Sequence, residues 1–103
     1  MPNKINARYI EGLPVIGFGQ TYQNVTASRS PGITYTNDTG RPIFVCVIVT
    51  YVSNGTASLS VDGLVVQSIN HGLSGFTTSI SVLVPSGSTY AFAGQRNQWF
   101  ELR

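Results

Sequence analysis

Residues 43–52, Ile-Phe-Val-Cys-Val-Ile-Val-Thr-Tyr-Val, constrain this chain more than any other stretch. Side chains of a strand alternate between its two faces. One face then carries Ile43, Val45, Val47, Val49 and Tyr51, and the other Phe44, Cys46, Ile48, Thr50 and Val52. A strand in an antiparallel sheet ordinarily has one core face and one wet face, so this one needs cover on both. No window of the sequence sustains a 3.6-residue apolar period, so no helix is at hand to supply it. A loop, the N-terminal residues or another copy of the protein must cover the second face. Large apolar side chains left bare on a strand are an aggregation hazard. A partner copy is the expected cover, with Phe44, Ile48, Val47 and Val49 as oligomer contacts.

The rest of the chain repeats the period of two, cut often by Gly and Pro. Short strands are expected over 22–27 and 33–37, separated by Arg29-Ser30-Pro31-Gly32. The segment 37–42, Asn-Asp-Thr-Gly-Arg-Pro, is a second turn leading into the long strand. Asn54-Gly55 turns the chain into 57–61, where Ala57, Leu59 and Val61 alternate with Ser58 and Ser60. Asp62-Gly63 is the strongest hairpin signal, because a two-residue type I′ turn needs positive φ at both positions. Strands follow at 64–70, 76–84, 89–93 and 98–102, with turns at 71–75 and at Pro85-Ser86-Gly87. This spacing predicts an all-β domain, an antiparallel β-sandwich or jelly-roll-like barrel.

At 103 residues the chain is expected to form one domain with a single core. Charged residues make up 10%, well below the roughly 25% of ordinary soluble domains. Ser, Thr, Asn and Gly supply the polarity instead. With 42% apolar residues and a net charge of +2, the chain is not of disordered type. The six basic residues are scattered from Lys4 to Arg103, without the basic stripe that nucleic acid requires. Cys46 is the only cysteine, so it has no partner within the chain, and its place in the apolar strand suits a buried thiol. The longest apolar stretch, 43–49, is far below spanning length, and no run of signal-peptide type precedes it. No membrane insertion is expected, and synthesis in a cytoplasm is.

The inventory for catalysis is thin, and no cofactor or metal site is expected. The acids are Glu11, Asp38, Asp62 and Glu101. Asp38 and Asp62 fall in turns, where Asp serves backbone geometry. Glu101, two residues from both Trp99 and Arg103, is expected to pair with an arginine. His71 stands alone as the one histidine, too few for a metal site or a triad within one chain. Asn-x-Ser/Thr triplets at Asn24, Asn37 and Asn54 arise by chance in so polar a sequence. What remains is binding. Tyr22, Tyr35, Tyr51, Tyr90 and Trp99 beside many amides and hydroxyls suit a glycan surface, although most such rings sit in cores. Recognition on a β scaffold belongs to its loops. The candidate contacts are Asn70, His71, Ser74, Gln95, Arg96, Asn97 and Gln98, with the turn at 53–55 beside them.

One resemblance sharpens this. Residues 19–45, GQTYQNVTASRSPGITYTNDTGRPIFV, together with the last five, WFELR, resemble the C-terminal module of bacteriophage and prophage tail-fibre proteins, the receptor-binding tip. The resemblance covers most of 19–103 and leaves 1–18 as an N-terminal arm or shaft connection. It implies a homotrimer in the virion, made in the bacterial host cytoplasm and joined to other tail components. The implied function is attachment to a host cell-surface glycan or other receptor. An assembly module that registers fibre strands without binding a receptor, and a free-standing lectin-like module, are the alternatives. An enzyme is not expected, for want of paired carboxylates. The terminal Trp-x-Glu-Leu-Arg element is expected to be structural, with Trp99 packed and Arg103 bonded to a carbonyl or to a carboxylate such as Glu101.

Overall fold

A computed structural model describes residues 16–51, 55–71 and 76–103. The expected arm falls largely outside these residues, as do Val52, Ser53, Asn54 and Ser74. Eight strands form two four-stranded antiparallel sheets: β1 (Tyr22–Asn24), β2 (Thr34–Thr36), β3 (Ile43–Tyr51), β4 (Gly55–Val61), β5 (Leu64–His71), β6 (Phe76–Val84), β7 (Thr89–Ala93) and β8 (Gln98–Leu102). The first sheet runs β1-β8-β3-β6 and the second β2-β7-β4-β5. The pairs β1–β8, β2–β7, β3–β6 and β4–β5 nest inside one another. This is one long hairpin rolled onto itself, the connectivity of a jelly roll.

The expected strand at 22–27 is shorter than its sequence suggests. Asn24 Oδ1 accepts from the Thr26 amide at 3.1 Å, an Asx turn that bends the backbone off the sheet. Thr26–Ser28 then forms a single 3-10 turn. At the β4–β5 hairpin Asp62 and Gly63 have φ of 53° and 81°, as the type I′ turn demands. Asp62 also accepts from Ser88 Oγ and from the Thr89 amide at 2.8 and 3.0 Å. The pull of these donors holds its carboxyl below the ordinary value.

Between the sheets lie Ile43, Val45, Val47 and Val49 of β3, Leu59 of β4, Ile80 and Val84 of β6, Tyr90 and Phe92 of β7, and Trp99 of β8. Val47 and Val49 are therefore not oligomer contacts: both are 0% exposed in the chain's own core, and alternation along β3 leaves Phe44 and Ile48 on the outside. A buried asparagine holds the turn before β3. Asn37 Nδ2 points at the carbonyls of Arg41, Val84 and Pro85 at 2.8, 3.1 and 3.1 Å, while its Oδ1 accepts from Thr39.

The two outer faces differ. On the first sheet Tyr22, Leu102, Phe44 and Leu83 line up across all four strands, with Phe100, Cys46 and Ile48 in the next rows. Tyr22 is 62% and Leu83 49% exposed, and no described residue covers the row. On the second sheet the outer positions are Thr34, Thr36, Thr56, Ser58, Ser60, Ser68, Thr89, Ala91 and Ala93, with Asn70 opposite Thr56 and Val65 opposite Ser60. The first face carries apolar side chains mainly on β3 and β8, with Thr77, Ser79 and Ser81 beside them on β6, and the second is mostly small and hydroxyl side chains.

Gly94 ends β7 with φ of 125°, and a Cβ there would lie 2.7 Å from the Thr56 carbonyl oxygen. Neither the conformation nor the space admits a side chain. Gly94→Ala is expected to cost about 2 kcal/mol or more in urea unfolding. A variant as stable as the parent would contradict this geometry.

Candidate functional site: a buried carboxylate and a polar end

β8 turns Trp99 and Glu101 inward, both 0% exposed. The alternation that buries the indole buries the carboxylate two residues later. An unpaired carboxylate there would cost several kcal/mol, and its oxygens are fully engaged. Arg29, from the loop after the 3-10 turn, donates Nε to Oε2 at 2.9 Å and Nη2 to Oε1 at 3.0 Å, a bidentate fork. Tyr90 Oη and Trp99 Nε1 donate to Oε2 at 2.8 and 3.1 Å, and Arg103 Nη1 donates to Oε1 at 2.7 Å. The guanidinium of Arg29 lies over the Tyr35 ring, 4.7 Å from its centre. Tyr35 in turn packs edge-on to Trp99, with ring centres 6.0 Å apart.

Electrostatics follow from this arrangement. Burial by itself pushes the Glu101 carboxyl up. The hydrogen bonds from Arg29, Tyr90 and Arg103 outweigh it and hold the group below its ordinary value. Burial, then the neighbouring carboxylate, pushes Tyr90 up to about 12, so its hydroxyl stays protonated and keeps donating. Burial would lower Arg29, but Glu101 more than compensates and raises it. An ionised carboxylate with all its donors in place has no proton to give at neutral pH. Glu101 is a structural hub, and Arg103 and Trp99 meet it as the sequence suggests. Arg29 and Tyr90 were not foreseen as its partners. The available signal was the shared face of Trp99 and Glu101, which obliges a buried acid to find donors.

The expected receptor contacts gather at one end of the sandwich. β3, β5 and β7 end there and β4, β6 and β8 begin there. Asn70 is exposed near the end of β5, opposite Thr56, and Gln95, Asn97 and Gln98 are exposed between β7 and β8. Asn70 lies on β5 and Gln95 follows β7, and these strands are two places apart in the sheet, roughly 10 Å by strand spacing. His71 closes β5 opposite Gly55; its side chain, like Ser74, lies outside what is described. Arg96 differs from its neighbours. It is half-buried and donates Nη2 to the Arg29 carbonyl at 2.7 Å, so it braces the loop that carries Arg29 instead of facing outward.

Chain entry lies at the opposite end. Gln20 accepts from the Gly17 amide at 2.5 Å and donates to the Pro42 carbonyl at 2.8 Å, and Arg41 donates to the Phe18 carbonyl. Exposed Phe18, Tyr22, Leu64, Val65, Val66 and Leu83 lie towards that end, together with the exposed carboxylates of Asp38 and Asp62. Along the side of the sandwich, Gln23, Val25, Ser28, Arg29 and Arg103 line an open cleft of about 510 Å³. Comparisons with protein-family models, curated proteins and solved structures returned no match.

Glu101→Gln is expected to cost about 3–5 kcal/mol, because it strands two buried guanidinium edges. The pH dependence has a definite sign. The folded carboxyl titrates below its ordinary 4.5, so its contribution is complete above that value and is lost as pH falls through the lower folded value. Urea midpoints between pH 7 and pH 3 check this: the parent should lose stability steeply below about pH 4.5, and Glu101→Gln should lose markedly less. Equal slopes would remove Glu101 as the acid-sensitive group.

Proposed function

We propose that this chain is the C-terminal tip module of a phage or prophage tail fibre and attaches the virion to its host surface by non-covalent, multivalent contact. The observation that carries the reading is directional. Residues 16–20 join the sandwich at one end, and the exposed amides of Asn70, Gln95, Asn97 and Gln98 sit at the far end, where a tip would meet its receptor. The likeness of residues 19–45 and of the terminal WFELR to tail-fibre tips supports the same reading. Asn70, Gln95, Asn97 and Gln98 offer amides to sugar hydroxyls on a rigid scaffold. Each contact is weak. Three weak sites per tip and several fibres per particle raise the avidity well beyond one site.

The apolar outer face of the first sheet supports assembly as a homotrimer. Phe44, Ile48, Phe100, Leu102, Tyr22 and Leu83 would lie between copies, where removal from water contributes about 25 cal/mol per Å². The same face favours a second reading, in which the module serves trimer assembly alone.

Two measurements separate these readings. Light scattering should give a trimer at micromolar concentration, and Phe44→Asp or Ile48→Asp should yield folded monomers, because neither side chain belongs to the inner core. A monomeric parent sinks the trimer. Asn70→Ala combined with Gln95→Ala should lower adsorption to host cells severalfold while melting and oligomeric state stay unchanged. Unchanged adsorption, with fibres that fail to form when the module is deleted, hands the case to the assembly reading.

A further inference from the structure

The side cleft differs from the polar end in its chemistry. Arg29 and Arg103 bring two guanidiniums against one buried carboxylate, and the second positive charge is offset only by the exposed Asp38. Arg29 is spent on Glu101 and on the Ser28 carbonyl. Arg103 is not: Nη1 is held by Glu101, but among the described residues Nη2 approaches Asp38 Oδ1 alone, at 4.0 Å, beyond hydrogen-bond reach. The Asp38 side chain is 84% exposed, and such pairs are weak and easily exchanged. The other polar groups of the cleft are acceptors. Gln23 gives its Nε2 to Thr21 and keeps Oε1 free, while Ser28 Oγ donates to the Val25 carbonyl and keeps its lone pairs. Val25 adds an apolar contact.

We propose that this cleft binds an acidic sugar, with Arg103 holding its oxyanion in place of Asp38 and with Gln23 and Ser28 accepting from its hydroxyls. The oxyanion is a carboxylate or a phosphate ester, since a guanidinium edge suits both. The cleft is shallow and open to solvent, so a bound ring would be held by its oxyanion and keep one face in water. The site is independent of the polar end and of the attachment reading, and it stands or falls on the isolated protein.

Titration of the 15N-labelled full chain tests it with galacturonic acid, glucose 6-phosphate, neutral methyl galactoside and sodium sulfate as probes. Either acidic sugar should shift the amides of Gln23, Ser28, Arg29 and Arg103 saturably, and the neutral sugar should not. The tighter of the two acids identifies carboxylate or phosphate as the source. Asp38→Asn should tighten binding about two- to fivefold by removing the competing anion, which a purely structural Arg103 would not produce. Gln23→Ala should weaken it by a similar factor with melting unchanged, since that side chain is exposed. No saturable shift with either acid overturns the proposal. So does an adventitious ion only, with sulfate binding as tightly as the sugars and Gln23→Ala without effect. An unchanged affinity in Asp38→Asn removes Arg103 as the anchor and overturns it equally.

Discussion

The ionised carboxylate of Glu101, shut between two sheets, is the interaction on which the rest of this structure depends. Five hydrogen bonds from four residues reach it. They come from β7, from β8, from the loop after the 3-10 turn and from Arg103, which follows β8. Apolar side chains of the same volume would hold the layers together at least as well. The charge adds direction. A slip of β8 by one residue would turn Glu101 outward and leave Arg29 and Tyr90 buried without their acceptor. Only one register satisfies every donor, and that register places β1, the cleft and the first outer face.

A second consequence is the division of the surface. The inner rows of both sheets are apolar or aromatic, as a sandwich core requires. The outer rows are not equivalent: Phe44, Phe100, Leu102 and Leu83 lie on one side, with Ser79 and Ser81 beside them, and mostly serines and threonines on the other. A second difference runs along the molecule: the end where residues 16–20 join carries exposed apolar side chains and the carboxylates of Asp38 and Asp62, and the other end carries amides. The first sheet's outer face therefore suits association, the polar end suits contact with a hydrated surface, and the cleft offers charge. The attachment proposal joins the first two and does not need the third.

Legibility from sequence followed the range of the interaction concerned. The period of two in β3, β4 and β6 was readable because alternation is a property of the backbone. Asp62-Gly63 was readable because positive φ selects residue type locally. Trp99, Glu101 and Arg103 could be linked because they lie within five residues of one another, on β8 and just after it. Gln95, Asn97 and Gln98 were legible as exposed loop residues, whereas Arg96 in their midst was not. Its guanidinium is held by the Arg29 carbonyl, 67 positions away. Asn37 looked like a turn residue and proved to be the buried tie between two turns, through carbonyls 47 and 48 positions away.

The sequence by itself thus determined the all-β class, the turns and the existence of a strand with two apolar faces, since these follow from backbone geometry over a few residues. Which face of β3 became core was decided only in three dimensions. Both faces are apolar enough, and alternation cannot choose between Val47 and Ile48. The choice falls to the opposite sheet, which covers one side of β3 fully and leaves Phe44, Cys46 and Ile48 half-buried on the other. The charged cluster has the same origin. Arg29 meets Glu101 because nested pairing brings positions 72 apart to one edge of the sandwich, and once there the cost of an unpaired buried charge leaves no other arrangement.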